Sequence, residues 1–354
     1  MTAIAPLPSS TSASAFRPRN GAILTTGILF GIIGLMLGGS GAMTMVQTLM
    51  MSQLAKTDPK AMSEFGGMQD MMWTASIVNL VIYGGLGLLF IAVAYGCFAG
   101  RRWSRPFALT LAWGWIYMGV TMFLSLAVMM GGMRDMMSGI MESAAKTSPQ
   151  APPMPAMDGF FTIIMVIYFV MIVLFMIVLP AVIVWLQWGA EVRLTLESRD
   201  PVPRWTDRQP APLLGMAIAA ALFGLCSLPY LFMMGSSFLK PFLPEGPLKH
   251  FWIVVPFVWA YIAWGSYRRQ LAAWILALGL LAAGTWIGVH TIQRIDWADA
   301  FSQMGIPGME PGDLAKWMES LFQPTRMLVM MVGSILPLLG YLIWVLRYFR
   351  RVEL

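Results

Sequence analysis

Ionisable side chains are scarce in this sequence. Asp, Glu, Lys and Arg make up 11% of its 354 residues, and none lies inside any of the long apolar runs. Soluble domains carry roughly 25% charged residues. A chain that is 58% hydrophobic therefore belongs in a membrane. Ionisable groups at bilayer depth mark proton relays and ion paths, so their lack weakens the case for a proton-driven pump. Cysteine is almost missing too: Cys97 and Cys226 both sit in apolar runs without a spacing motif. That disfavours a disulfide framework or a zinc site. No Walker loop, HExxH, CxxC or Ser/His/Asp set is present, so the expectation is no catalytic residue and no enzyme. Nucleic acid is excluded as a partner for want of a solvated basic face.

What the chain has is length of apolar sequence. Eight runs, at about 21–49, 73–98, 106–131, 159–189, 212–236, 250–266, 271–293 and 327–346, read as membrane spans. The hydrocarbon is about 30 Å thick and a helix rises about 1.5 Å per residue. The expected fold is an all-α polytopic membrane protein with eight transmembrane helices. Pro180, inside the long fourth run, predicts a kink or tilt. Residues 1–20, rich in Ser, Ala, Thr and Pro, read as a disordered cytoplasmic tail rather than a cleavable signal peptide. The charged, proline-containing stretch 190–211 reads as a cytoplasmic linker between a first membrane unit, 21–189, and a second, 212–346. Residues 347–354 form a basic tail.

Arginine sets the orientation. Arg101, Arg102 and Arg105 sit between the second and third runs, and Arg268 and Arg269 between the sixth and seventh. With the termini and the linker, that side collects 14 of the chain's 23 basic residues, whereas 12 of its 17 acids fall on the other. The positive-inside rule makes the arginine side cytoplasmic, so these five arginines are topology anchors. The location expected is the inner membrane, with the Met-rich loops extracytoplasmic.

The two halves echo each other. Leu29-Phe30-Gly31 matches Leu222-Phe223-Gly224, Arg101-Arg102 matches Arg268-Arg269, and Val178-Leu179-Pro180 matches Ile335-Leu336-Pro337. Landmarks in one order and one direction imply two parallel four-helix repeats about a pseudo-twofold axis along the membrane normal. Gly27, Gly31, Gly34, Gly38 and Gly41 recur at 4, 3, 4, 3 and share one helix face, a pattern for close helix packing that extends to Gly224.

Methionine is the chemical oddity. Segments 51–72 and 131–158 hold 11 of the 32 methionines in 50 residues, so the enrichment is local. Gly67-Met68-Gln69-Asp70-Met71-Met72 and Gly132-Met133-Arg134-Asp135-Met136-Met137 are near-copies. Thioethers select Cu(I). A Cu(I) site at Met68, Met71, Met72, Met133, Met136 and Met137 is one reading; an apolar stripe packed on the bundle is the other. His250 and His290 fall at comparable depths and form a second candidate metal pair. The leading expectation for function is a non-enzymatic scaffold, accessory subunit or partner-binding protein. It would contact membrane lipids, with a protein partner or a second copy of itself. A transporter or channel for a small neutral solute at the repeat interface is the alternative, and Cu(I) handling a further one. No cofactor beyond that Cu(I) is implied.

Overall fold

The computed structural model describes residues 18–57, 66–147, 155–233, 251–294 and 323–350. Among them every regular element is helical. The helices are α1 (Asn20–Thr57), α2 (Gly66–Phe98), α3 (Ser104–Thr147), α4 (Pro155–Ile172), α5 (Leu179–Trp188), α6 (Ala190–Arg199), α7 (Ala211–Met233), α8 (Phe251–Tyr267), α9 (Leu271–Arg294) and α10 (Pro324–Arg350). A π-helical stretch, Val173–Val178, joins α4 to α5, and a 3₁₀ turn, Trp205–Arg208, precedes α7.

Among the described residues, seven apolar helices are long enough to cross a membrane: Asn20–Leu54, Met72–Phe98, Ser104–Met130, Thr162–Trp188, Ala211–Leu228, Leu271–Thr291 and Thr325–Phe349. The sequence reading has eight. The difference is α8, whose 17 described residues reach about 25 Å at about 1.5 Å each, against about 30 Å of hydrocarbon. Large apolar residues such as Leu35, Leu88, Phe257 and Ile343 are exposed along these helices. In water such surface would drive aggregation; in lipid it is the expected outer face. The polar connections are more helical than their composition implies: α3 continues to Thr147 and α1 to Thr57.

Two buried apolar clusters divide the molecule. Phe30, Val93, Ala108 and Ile183 centre the first, to which α6 adds Val192 and Leu196. Leu213, Ile262, Ala277 and Val345 centre the second. The longest seam lies between α1 and α2, where small residues let the backbones meet. A Cβ on Gly87 would come within 2.7 Å of the Gly38 backbone nitrogen.

Pro180 lacks an N–H and crowds the carbonyl four residues back, that of Met176. The chain answers with the π-helical stretch Val173–Val178 just before it, which is where the fourth span departs from a regular helix. The Met176 carbonyl is accommodated against Gly119 of α3, where a Cβ would lie 2.5 Å away, and the Trp115 indole N–H points at the Met176 sulfur at 2.8 Å.

The halves meet through α2 and α3 on one side and α7 and α10 on the other. Tyr117 of α3 donates to the Ser334 carbonyl of α10 at 3.0 Å. Between α2 and α7 a cleft of about 100 Å³ is lined by Val81, Ile82, Leu86 and Leu89 against Leu222, Leu225 and Cys226.

Candidate functional site

Among the described residues, polar contacts concentrate at the arginine-rich end. Residues 189–210 fold back across it as a platform of α6 and the 3₁₀ turn. Glycine at 189 breaks the helix between α5 and α6, and Val192, Thr195 and Leu196 turn inward. The Arg19 N–H donates to Thr195 Oγ1 at 3.0 Å, and the Arg19 guanidinium pairs with Glu191. Four linker acids are thus available to nearby arginines, and all four are used.

Arg102 is the hub. Its guanidinium reaches Glu197 at 3.0 Å and Asp207 at 3.5 Å with the side chain only 14% exposed. Arg193 pairs with the same Glu197 oxygen at 2.8 Å. Arg204 grips Asp200 with two nitrogens, Nε at 3.2 Å and an Nη at 3.1 Å, while its own N–H donates to Asp207 at 2.8 Å and closes the 3₁₀ turn. These contacts shift the carboxylates. The hydrogen bond from Arg193, then that from Arg102, holds the Glu197 carboxyl below its ordinary range against the opposing effect of burial. Arg204 does the same to Asp200, helped by the Arg102 backbone amide.

The other arginines behave differently. Arg105 caps the end of α5, donating to the Gln187 carbonyl at 3.0 Å and the Trp188 carbonyl at 3.4 Å. Arg268 lies over the Trp264 ring at 5.9 Å. Arg269 donates to Gln209 at 2.7 Å. The Arg101 side chain is exposed, and its charge helps hold the Asp200 carboxyl low. An aromatic run ties the two hairpin tips through the platform. Trp103 meets Phe107, Phe107 meets Trp205, and Trp205 meets Tyr267, at ring separations of 5.8, 6.1 and 5.8 Å.

The tips share one backbone design. At the first, Gly100 has φ +63°, its N–H bonds the Cys97 carbonyl, and the Arg101 N–H reaches back to Gly96. At the second, Arg269 has φ 57°, its N–H bonds Ser266, and the Gln270 N–H reaches Gly265. Each is a Schellman ending, with one left-handed residue satisfying the last carbonyls of the helix. Gly96 then faces Ser104, and Gly265 faces Ala273, in the same tight contact.

The remaining sequence candidates scatter. Gly27 lies against Cys97 and Phe98, Gly31 against Ala94, Gly34 against Ile91, and Gly41 against the Asn79 and Gly84 backbone. Gly38 has open space at its own Cβ position; it is there that Gly87 approaches. Gly224 packs on Trp259 of α8. Met68, Met71 and Met72 fall on the first turns of α2, and Met133, Met136 and Met137 on the extension of α3. Of these six, only the Met72 side chain belongs to the described set, and it is half-buried. His290 stacks on Trp286 at 5.3 Å, and His250 lies outside the described residues.

The linker acids and Trp205 are the residues that sequence reasoning passed over. Their signal was present, since the acids of the arginine-rich side concentrate in this one segment. A second, smaller feature adjoins the first tip: a cleft of about 170 Å³ lined by Asn20, Gly21, Ile23, Leu24, Cys97, Phe98 and Arg199. No known family model matches the chain, and no curated protein or solved structure is significantly similar to it.

Proposed function

We propose that the protein is a non-enzymatic membrane scaffold or accessory subunit, and that the folded linker is its partner-binding face. The observation that carries this is the platform. Leu194, Val202 and Trp205 are apolar, lie outside the spans and remain exposed, on a segment held rigid by ion pairs to the first tip. Exposed Trp beside Arg, on a preorganised support, is the composition of a binding hot spot. The apolar cleft between α2 and α7 agrees with this reading: a polar solute crossing there would leave its hydrogen-bonding groups unsatisfied. The test is a photo-reactive residue at Val202 in intact membranes. A reproducible protein adduct is expected; adducts with lipid alone reject the proposal.

We further propose eight spans arranged as two parallel repeats, with both termini and the platform cytoplasmic in an inner membrane. Three pairs of contacts support the repeats. The Schellman tips superpose Gly96 on Gly265, Cys97 on Ser266 and Gly100 on Arg269. That register differs by two residues from an alignment of the arginine pairs. Carried up the helix, it sets Phe90 against Trp259, and the match of Gly31 with Gly224 sets Phe30 against Phe223. The rings of Phe30 and Phe90 lie 5.0 Å apart, and those of Phe223 and Trp259 5.2 Å. Arg105 and Trp274, equivalent in the same register, each donate to a backbone carbonyl on the last helix of their half. The repeats do not exchange contacts as a twofold axis requires. That axis would also seat α9 on α1 and on the fourth span, and no substantial contact of either kind occurs among the described residues. The halves pack head to tail instead.

A further inference from the structure

We propose that the cleft beside the first hairpin tip binds an anionic glycerophospholipid from the leaflet on the arginine-rich side, with its phosphate on Arg199. The charge pattern is the first ground. Glu191, Glu197, Asp200 and Asp207 are taken by Arg19, Arg102, Arg193 and Arg204. Arg199, in their midst, has neither an acid nor a hydrogen-bond acceptor among the described residues. Its alkyl stem nevertheless has a fixed seat. The stem crosses Gly100, where a Cβ would lie 2.8 Å from Arg199 Cδ, and the residue lines the 170 Å³ cleft.

The shape of the cleft is the second ground. Its polar wall is Arg199 and Asn20, and its apolar wall is Ile23, Leu24 and Phe98. Asn20 opens the first apolar span and Phe98 closes the second, so the cleft lies at the level where hydrocarbon gives way to headgroups. Leu24 is 52% exposed and Phe98 49%, offering a surface along which an acyl chain can lie. A cationic group at the rim over an apolar wall matches a phosphodiester followed by hydrocarbon. A free phosphate would use only the rim.

The experiment is native mass spectrometry of the whole protein with phosphatidylglycerol or phosphatidylcholine, beside thermal-shift measurements with inorganic phosphate. Wild type is expected to retain one tightly held phosphatidylglycerol more than Arg199→Gln, whose affinity should fall roughly tenfold with the loss of a charge-assisted hydrogen bond. Leu24→Trp, which fills the apolar wall and leaves the charge untouched, should release the same lipid. Arg208→Gln, an exposed arginine outside the cleft, should not. Equal retention by Arg199→Gln and wild type overturns the proposal, as does an equal loss in Arg208→Gln, which would mean diffuse attraction. Stabilisation by inorganic phosphate matching that by phosphatidylglycerol overturns the lipid assignment in favour of a soluble phosphate.

Discussion

Arg102 carries two duties that a single charge on a hairpin does not suggest. It is counted among the residues that orient the chain, yet its guanidinium is mostly buried between Glu197 and Asp207. The presence of the arginine was legible, because the positive charges fall between apolar runs. Its partners were not, since they lie about 100 positions downstream and meet it only when the linker folds back. The carboxylates give a pH signature. Glu197 and Asp200 are held below their ordinary values, so their stabilisation is complete above the usual carboxylate range and is lost as pH falls through their lowered values. The melting temperature should stay flat above about pH 5 and fall below it. A Glu197→Gln/Asp200→Asn variant should melt lower at neutral pH and show a shallower acid slope; equal slopes in both proteins would count against the platform. Gly100 sets a second prediction. Alanine there must hold φ near +63°, costing about 1–2 kcal/mol, and must also displace the Arg199 stem. Thermal melting of Gly100→Ala in detergent should show a clear loss of stability, and an unchanged melt would contradict the tip geometry.

At the scale of elements, spacing tells which residues share a face but not what the face meets. The 4, 3, 4, 3 glycines of α1 were visible in the sequence. Their counterpart Gly87 was hidden among Gly84 and Gly85 in an equally apolar run. Substitution separates Gly87 from Gly85 physically. Gly87→Ala drives a Cβ into the Gly38 backbone, which cannot swing aside as a side chain can. It should cost about 1–3 kcal/mol by overpacking. Gly85→Ala meets nothing within 4 Å and should be nearly neutral. Equal melting temperatures for the two variants would rule out the seam as described. Pro180 gives a similar lesson. The proline marks the irregularity, but the widening over Val173–Val178 takes its form from Gly119 and Trp115 on a neighbouring helix.

For the whole molecule, the long uninterrupted apolar runs were enough to indicate an all-helical membrane protein, because a β-barrel strand alternates apolar with polar residues instead. The count of spans turns on α8, of which 17 residues, Phe251–Tyr267, are described. The orientation we propose is testable by labelling single cysteines in a Cys97→Ser/Cys226→Ser background. Cysteines at Arg208 and Arg268 should react with an impermeant reagent only from the cytoplasmic face. Those at Lys56 and Arg294 should react only from the opposite face. Labelling of Arg208 and Arg268 from opposite faces would overturn the proposed threading.

The Trp205–Tyr267 contact bears on the order in which the molecule is made. Among the described residues, every ion pair of the platform joins residues 19–207, all of which are synthesised before α7. Domains fold as units from the N-terminus during synthesis. The first half can therefore close its own lid while the second is still being translated. Tyr267 and Arg269 then find Trp205 and Gln209 already in place, so the second tip docks onto a finished surface and inherits its position from the first.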